Sequence, residues 1–353
     1  MTDPKRILAG RVLTTGIPGL RLDSDTLSAL HHMQPSGIIL FRRNIEGPGQ
    51  LRELTGSLHA LPWRPWISID HEGGRVLRVC EPFTLFPGAR DVARWSDASL
   101  IEAVGRAMAL ELRSVGIDIN FAPVLDVDSN PANPIIGDRA FASDPAEVAR
   151  CGLAFQRGLL SGGIVPCGKH FPGHGDTDRD SHTDLPIVHR RRAQLEAVEL
   201  LPFRAAVAAK MPLLMTAHVV YSALDPGQPA TLSRSIVHGV LREELGYEGV
   251  VVSDDLEMRA ISNRLPVSEA AVTALRAGVD WLLVCTDFEQ SLATSDRTTE
   301  ALASGELDAS ALISASRRIE QLPRPAAFGE PCAMPVAEHA ALCERIGRRP
   351  ERG

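Results

Sequence analysis

Ile164-Val165-Pro166-Cys167-Gly168-Lys169-His170-Phe171-Pro172-Gly173-His174-Gly175-Asp176-Thr177-Asp178-Arg179-Asp180-Ser181-His182-Thr183-Asp184-Leu185-Pro186 is a short apolar run that turns abruptly polar. The run Ile164 to Cys167 suits a single buried strand, and it leads straight into Lys169 and His170, so the strand delivers charged groups at its end. From Gly168 to Pro186 the chain carries Lys169, three histidines (His170, His174, His182) and four aspartates (Asp176, Asp178, Asp180, Asp184), with almost nothing that fills a core. A solvated loop and a site both fit that composition, because loops are polar and also carry most catalytic groups. The strand that feeds this loop favours a site.

The same pattern repeats along the chain. Apolar runs occur at Ile7 to Thr14, Gly37 to Phe41, Trp66 to Ile69, Ile117 to Val127, Ile164 to Cys167, Pro212 to Val220, Gly249 to Val252 and Trp281 to Val284. Between them lie longer amphipathic segments, the mark of βαβ units around a parallel sheet. In the segment from Ala98 to Val115, for example, Ile101, Val104, Met108, Leu112 and Val115 recur at helical spacing. Asp144, Pro145 and Glu147 read as an N-cap, a first helical residue and a capping partner. A further helix is expected from about Ser268 to Ala277, stopped by Gly278. Eight strands alternating with helices predict an α/β fold, a single (β/α)8 TIM barrel over residues 1–322. Residues 323–353, opened by Pro323-Arg324-Pro325, read as a C-terminal extension with a short helix from about Val336 to Ile346 and a frayed basic tail.

Composition excludes several classes of function. The 353 residues carry a net charge of −7, with arginines scattered rather than massed, so neither nucleic acid nor an anionic membrane surface is an expected partner. The expected partner is a small or neutral molecule, and the expected state is a monomer. The six cysteines are widely spaced with no CxxC pair, which reads as reduced thiols rather than a disulfide framework or zinc finger. The opening Met1-Thr2-Asp3-Pro4-Lys5-Arg6 is no signal peptide, and no apolar run reaches the ~20 residues of a membrane span. A cytoplasmic setting is the expectation.

In a barrel, catalytic groups belong at the C-terminal ends of the strands, and the charged residues follow that rule. Asp70 follows the third run, Asp126 and Asp128 close the fourth, Lys169 and His170 the fifth, His218 lies near the end of the sixth, and Asp254 and Asp255 close the seventh. In Asp70-His71-Glu72-Gly73-Gly74-Arg75-Val76-Leu77-Arg78 the glycine pair permits a close backbone approach, and the aspartate before it suits vicinal sugar hydroxyls; an ion-paired turn is the plain alternative. Arg139, in Gly137-Asp138-Arg139-Ala140-Phe141, offers a fork for an acyl oxygen or hydroxyl. Successive strand residues point to opposite faces, so at most one of Asp254 and Asp255 aims into the mouth while the other braces a loop. Asp180 and His182 stand close enough for the carboxylate to fix the imidazole as a directed acid and base, with a surface ion pair as the alternative.

With these residues in place, the chain resembles the β-N-acetylhexosaminidases of glycoside hydrolase family three. The matching motifs run in order: Gly37-Ile38-Ile39-Leu40-Phe41-Arg42-Arg43-Asn44, Asp70-His71-Glu72-Gly73-Gly74-Arg75, Phe121-Ala122-Pro123-Val124-Leu125-Asp126-Val127, Gly137-Asp138-Arg139-Ala140-Phe141, Lys169-His170-Phe171-Pro172-Gly173-His174-Gly175-Asp176-Thr177 and Ser253-Asp254-Asp255-Leu256. The resemblance covers roughly residues 5–320. It implies one TIM barrel without the second domain that many β-glucosidases of the family carry. It also implies a retaining exo-enzyme that releases terminal β-linked N-acetylglucosamine from cell-wall muropeptides (GlcNAc-anhydroMurNAc) in cytoplasmic peptidoglycan recycling. By motif, Asp254 is the nucleophile, His182 the acid/base and Asp180 its partner. Asp70, Arg78, Arg139, Lys169 and His170 bind the sugar and its acetamido group, with no metal and no cofactor. His71 and Leu77 depart from the family pattern, each replacing a common glutamine.

Other readings of the same residues stay open at this point. Within the family they are a β-glucosidase or an N-acetylglucosaminide phosphorylase, since a neutral imidazole does not repel incoming phosphate. Outside it they are a metal-dependent hydrolase using His170, His174 and His182, or a non-catalytic sugar-binding protein. Pro172, Gly173 and Gly175 count against a helical metal site there.

Overall fold

The computed structural model describes residues 3–95, 97–181, 184–324 and 336–347. Eight parallel strands close into a barrel: β1 Leu13–Gly16, β2 Gly37–Leu40, β3 Trp66–Ile69, β4 Ile119–Asn120, β5 Val165–Phe171, β6 Leu213–Thr216, β7 Val250–Asp255 and β8 Trp281–Val284. Each strand pairs with its neighbours in sequence, and the ring closes where Leu13 of β1 lies opposite Leu282 of β8. The single (β/α)8 barrel expected from the eight apolar runs is therefore the fold.

Two of those runs need correction. Ile7 to Thr14 is not one strand: Pro4–Gly10 is a helix, started by Asp3, whose side chain accepts the Lys5 N–H at 2.9 Å, and by Pro4 in the first turn. The strand begins only at Leu13. In the fourth run only Ile119 and Asn120 keep regular pairing. Pro123 has no N–H to give the ladder, and the chain continues as an irregular companion of β5, with Leu125 N–H donating to Lys169 O at 2.7 Å. The expected helices form as Ala98–Ser114, capped by Asp97, Pro145–Ser161, capped by Asp144 on the Glu147 N–H at 2.8 Å, and Val267–Ala277, ended by Gly278 at φ 108°. A small sheet joining Ile187–Val188, Val220–Tyr221 and Asp225–Pro229 was not expected; it is built from segments that follow β5 and β6.

Burial divides the core in two. One strand face packs on the surrounding helices, and the other fills the barrel with residues such as Trp66, Ile119, Val165, Leu213, Val250 and Trp281. Ile319 and Leu322, from the helix Ala309–Glu320 and the turn after it, join this inner core at the end where the strands begin. Arg324 lies over the Trp66 ring there, 4.2 Å from its centroid. The helix Val336–Gly347 packs on Ala89–Trp95 and Ala98–Ser114 and buries Ile346; residues 348–353 lie outside the described residues. Cys80, Cys151, Cys167, Cys285 and Cys343 are free thiols. Among the described residues no helix is long and apolar enough to cross a membrane.

Strand pairing slips in two places, between Gly168 and Phe171 against β6 and between Val252 and Asp255 against β8. Such irregularities re-aim side chains, and these carry Lys169, His170 and Asp254. At the opposite end, Ile319 closes the barrel. Ile319→Ala is expected to cost about 2–4 kcal/mol in urea unfolding with an unchanged m-value. A loss below ~0.5 kcal/mol would show that the inner core does not depend on it.

Candidate active site

At the C-terminal ends of the strands a cavity of about 240 Å³ opens. Its apolar floor includes Phe121, Met215 and Leu283, and its polar walls include Asp70, Arg78, Arg139, Lys169, His170 and Asp254. The structure thus brings six of the eight expected site residues to one cavity. Asp180 is half-buried and adjoins Ser181, which also lines it. His182 lies outside the described residues.

Lys169 is 2% exposed, and an ammonium that deep is costly unless it is paired. Its Nζ lies 2.7 Å from Asp70 Oδ1 and 2.7 Å from Glu72 Oε1. Burial on its own pulls the lysine pKa down, but Asp70 and Glu72 outweigh it and hold the group charged. Glu72 in turn takes the Arg139 fork, Nε at 2.9 Å and Nη2 at 2.8 Å. Burial would raise its pKa, and Arg139 and Lys169 drive it far below the carboxylate range instead. The Arg139 guanidinium, expected to meet a ligand with its fork, therefore spends two of its donors on Glu72 while still lining the cavity. Arg78 stands 3.9 Å from Asp70 Oδ2, and its Nε is buried with no hydrogen-bond partner.

A second buried network lies beside the first. Asp126 is fully buried and accepts the His170 and His174 N–H groups at 3.0 and 2.7 Å on one oxygen and His170 Nδ1 at 2.6 Å on the other. Burial works against its charge, yet His170 and His174 keep its pKa low. The fixed Nδ1 contact leaves the other ring nitrogen of His170 for the cavity it lines. The Thr177 hydroxyl donates to His174 O at 3.1 Å, so it accepts from His174 Nδ1 at 2.8 Å. His174 Nε2 is then the acceptor for Ser181 Oγ at 3.0 Å. Burial, then the neighbouring His170 charge, lowers the His174 pKa to about 4. A neutral ring with both nitrogens engaged is not free to hold a metal, and among the described residues no three His, Cys, Asp or Glu side chains gather as a metal site.

Gly173 and Gly175, which open the long loop, serve close packing. A Cβ on Gly175 would meet Val127 O at 1.6 Å, and Gly173, at φ 134°, lies against the Glu199 side chain. Tyr221 donates to Gly173 O at 2.6 Å, and Asn133 donates to His174 O at 2.9 Å and Gly175 O at 3.0 Å. Further along, Ala260 N–H donates to Ser181 O at 3.2 Å, tying the Asp180 region to the segment after β7.

Asp254 and Asp255 both line the cavity, although strand alternation predicts that at most one of them does; the pairing slips between Val252 and Asp255, so the alternation does not hold there. Asp254 Oδ1 accepts the Asp255 N–H at 2.8 Å, and His218 Nε2 meets Asp255 O at 2.9 Å. Glu257 braces the rim by accepting the N–H groups of Cys285, Thr286 and Asp287 at 2.7, 2.5 and 2.8 Å. His71, one of the departures, is buried: its Nδ1 accepts the Arg78 N–H at 3.3 Å, and burial followed by the Arg78 charge lowers its pKa to about 3. It therefore shapes the loop backbone as a neutral ring.

The glycosyl hydrolase family 3 N-terminal domain matches residues 10–322. The chain belongs to glycosyl hydrolase family 3. The β-hexosaminidase of Alkalilimnicola ehrlichii is 44% identical over 280 residues, 77% of this chain and 80% of that protein. A family 3 β-N-acetylglucosaminidase from Paenibacillus sp. has a structure that superposes with a TM-score of 0.93 at 38% identity, over 98% of this chain and 68% of that one. NagZ from Neisseria gonorrhoeae, solved with N-trifluoroacetyl-D-glucosamine, gives 0.81 at 34% identity over 95% and 98%. This family 3 member is a glycoside hydrolase. Its motifs sit at the cavity. Beyond the expected site residues, Glu72 holds Lys169 and Arg139 and Asp126 holds His170, while His174, Ser181 and Glu257 brace the segments around them.

Burial, then the Glu257 charge, raises the Asp255 pKa to about 7 in this family 3 enzyme. The unfolded chain ionises that carboxyl near pH 4, so between about pH 4 and 7 the folded state binds more protons and stability falls as pH rises. Asp255→Asn lacks this loss. Its melting temperature is expected to gain on the native protein steadily across that range and to level off above it. Parallel curves from pH 4.5 to 8.5 would refute the assignment.

Proposed function

We propose that the protein is a retaining exo-β-N-acetylglucosaminidase acting on terminal β-linked N-acetylglucosamine, with cell-wall muropeptides (GlcNAc-anhydroMurNAc) of cytoplasmic peptidoglycan recycling as its substrate. The observation that carries this reading is the shared cavity of Asp254, Asp70, Arg78, Lys169 and His170, small enough for one sugar unit. The likeness to a NagZ structure holding an N-acylated glucosamine adds to it.

In this reading Asp254 attacks the anomeric carbon while His182, oriented by Asp180, protonates the leaving oxygen. His182 then takes a proton from water, which displaces Asp254 and restores the β configuration. Asp70 and the Lys169 ammonium meet the ring hydroxyls, Arg78 and Arg139 the acetamido and neighbouring oxygens, and His170 a further hydroxyl. The carboxylate–ammonium pairs exist before substrate binds, so little reorganisation accompanies the reaction.

The deciding assay is nitrophenol release from nitrophenyl N-acetyl-β-glucosaminide beside the β-glucoside, with and without EDTA. Chelator-resistant turnover of the acetamido sugar alone is expected; turnover of neither sugar would overturn the reading. Asp254→Ala is expected to lower kcat by about 10⁴-fold or more on every substrate. His182→Ala is expected to cost about 10²–10⁴-fold on a natural disaccharide and far less on the nitrophenyl sugar, whose leaving group needs no proton. Equal losses on both would remove His182 as the acid. Product analysis in phosphate buffer is expected to give free sugar; a sugar 1-phosphate would make the enzyme a phosphorylase.

A further inference from the structure

Glu111, on the helix Ala98–Ser114, is 2% exposed. A carboxylate sealed from water needs compensation. Its Oε2 accepts the Thr84 N–H at 2.9 Å, and its Oε1 accepts the Thr84 hydroxyl at 2.5 Å and lies 2.8 Å from His339 Nδ1. Among the described residues the His339 ring is the one basic group that reaches it. His339 is itself buried, on the helix Val336–Gly347, and so lies beyond the 10–322 span matched by the family. A buried charge inside the barrel unit is completed by a residue from outside that unit.

Thr84 stands on the returning leg of the long loop that follows β3, and the outgoing leg of that loop carries Asp70, Glu72 and Arg78. The two legs meet backbone to backbone. Gly74 N–H donates to Phe86 O at 2.8 Å, and a Cβ on Gly73, at φ 100°, would meet Pro87 O at 2.3 Å. The His71 ring stands edge-on to Phe86, with centroids 6.5 Å apart. Thr84 is thus two residues from the contact that seats Gly74, and Gly74 two residues from Glu72, which holds Lys169 and Arg139.

We propose that the helix Val336–Gly347 is a strap for the substrate loop: His339, through Glu111 and Thr84, fixes the leg on which Gly73 and Gly74 close and so sets Asp70, Glu72 and Arg78 at the cavity. His339 and Glu111 touch no substrate; they are positioning residues. The kinetic part of this inference rests on the reading of Asp70 and Arg78 as sugar-binding groups, whereas the loop-ordering part does not.

The test uses the full chain and two readouts: hydrogen exchange of peptides spanning residues 72–88, and the Michaelis parameters on nitrophenyl N-acetyl-β-glucosaminide. His339→Ala is expected to speed exchange there by about tenfold. It is also expected to raise KM about three- to tenfold with kcat within about twofold, and His339→Gln, which keeps a donor, to recover most of both. A fall in melting temperature with exchange and KM unchanged would overturn the proposal, because a purely structural contact predicts that outcome. Arg78→Ala separates the two readings. If it leaves KM unchanged while His339→Ala still loosens residues 72–88, the sugar-binding assignment fails and the strap stands. Should His339→Ala not fold, Glu111→Gln removes the charge while keeping one acceptor; unchanged exchange in that variant would equally overturn the strap.

Discussion

The structure of the cavity depends on keeping the Lys169 ammonium charged where water scarcely reaches it. Two carboxylates at 2.7 Å achieve that, but Asp70 and Glu72 then require their own positions to be fixed. Arg139 fixes Glu72 from a different loop, and Asn120, which exchanges hydrogen bonds with the His71 backbone at 2.9 and 2.7 Å, fixes the chain between the two acids. Opposite charges alternate through the site, so each group's burial penalty is offset by its neighbours and no member is dispensable on its own. A cluster with that internal dependence is rigid before any ligand arrives, which is what orientation of a substrate requires.

The Asp126 network repeats the logic with histidines. One buried carboxylate collects two backbone N–H groups and one ring nitrogen, and those contacts turn the polar run after β5 from a loop into a shaped wall. The glycines in that run belong to the same construction. Gly175 is seated against the Val127 carbonyl and Gly173 against Glu199, so both serve proximity rather than freedom of movement.

Much of the fold was readable because burial imposes short apolar runs on strands and a 3.6-residue stripe on helices. Trp66 to Ile69 and Trp281 to Val284 begin and end where their composition says. Ile7, Leu8, Val12 and Leu13 read as one apolar run, which hides the boundary between the first helix and the first strand. The contrary signal, Asp3 followed by Pro4, is the same kind of cap as Asp144 followed by Pro145. In the fourth run, contiguous apolar residues concealed that Pro123 leaves the ladder. The cavity's outline was legible from charged residues placed at strand ends. The bonds that hold it were not: Glu72 and Arg139 are 67 residues apart, and nothing local to either names the other. His71 shows the same limit, since a ring in a polar motif says nothing of being buried beside Phe86.

The barrel's inner core is filled from the strand starts upward, with Trp66, Trp281 and Ile319 beneath the cavity floor of Phe121, Met215 and Leu283. The cavity is consequently a blind pocket. A polymer therefore cannot be threaded through it. Whatever reaches the floor of Phe121, Met215 and Leu283 enters from the side of the strand ends and leaves by that same side.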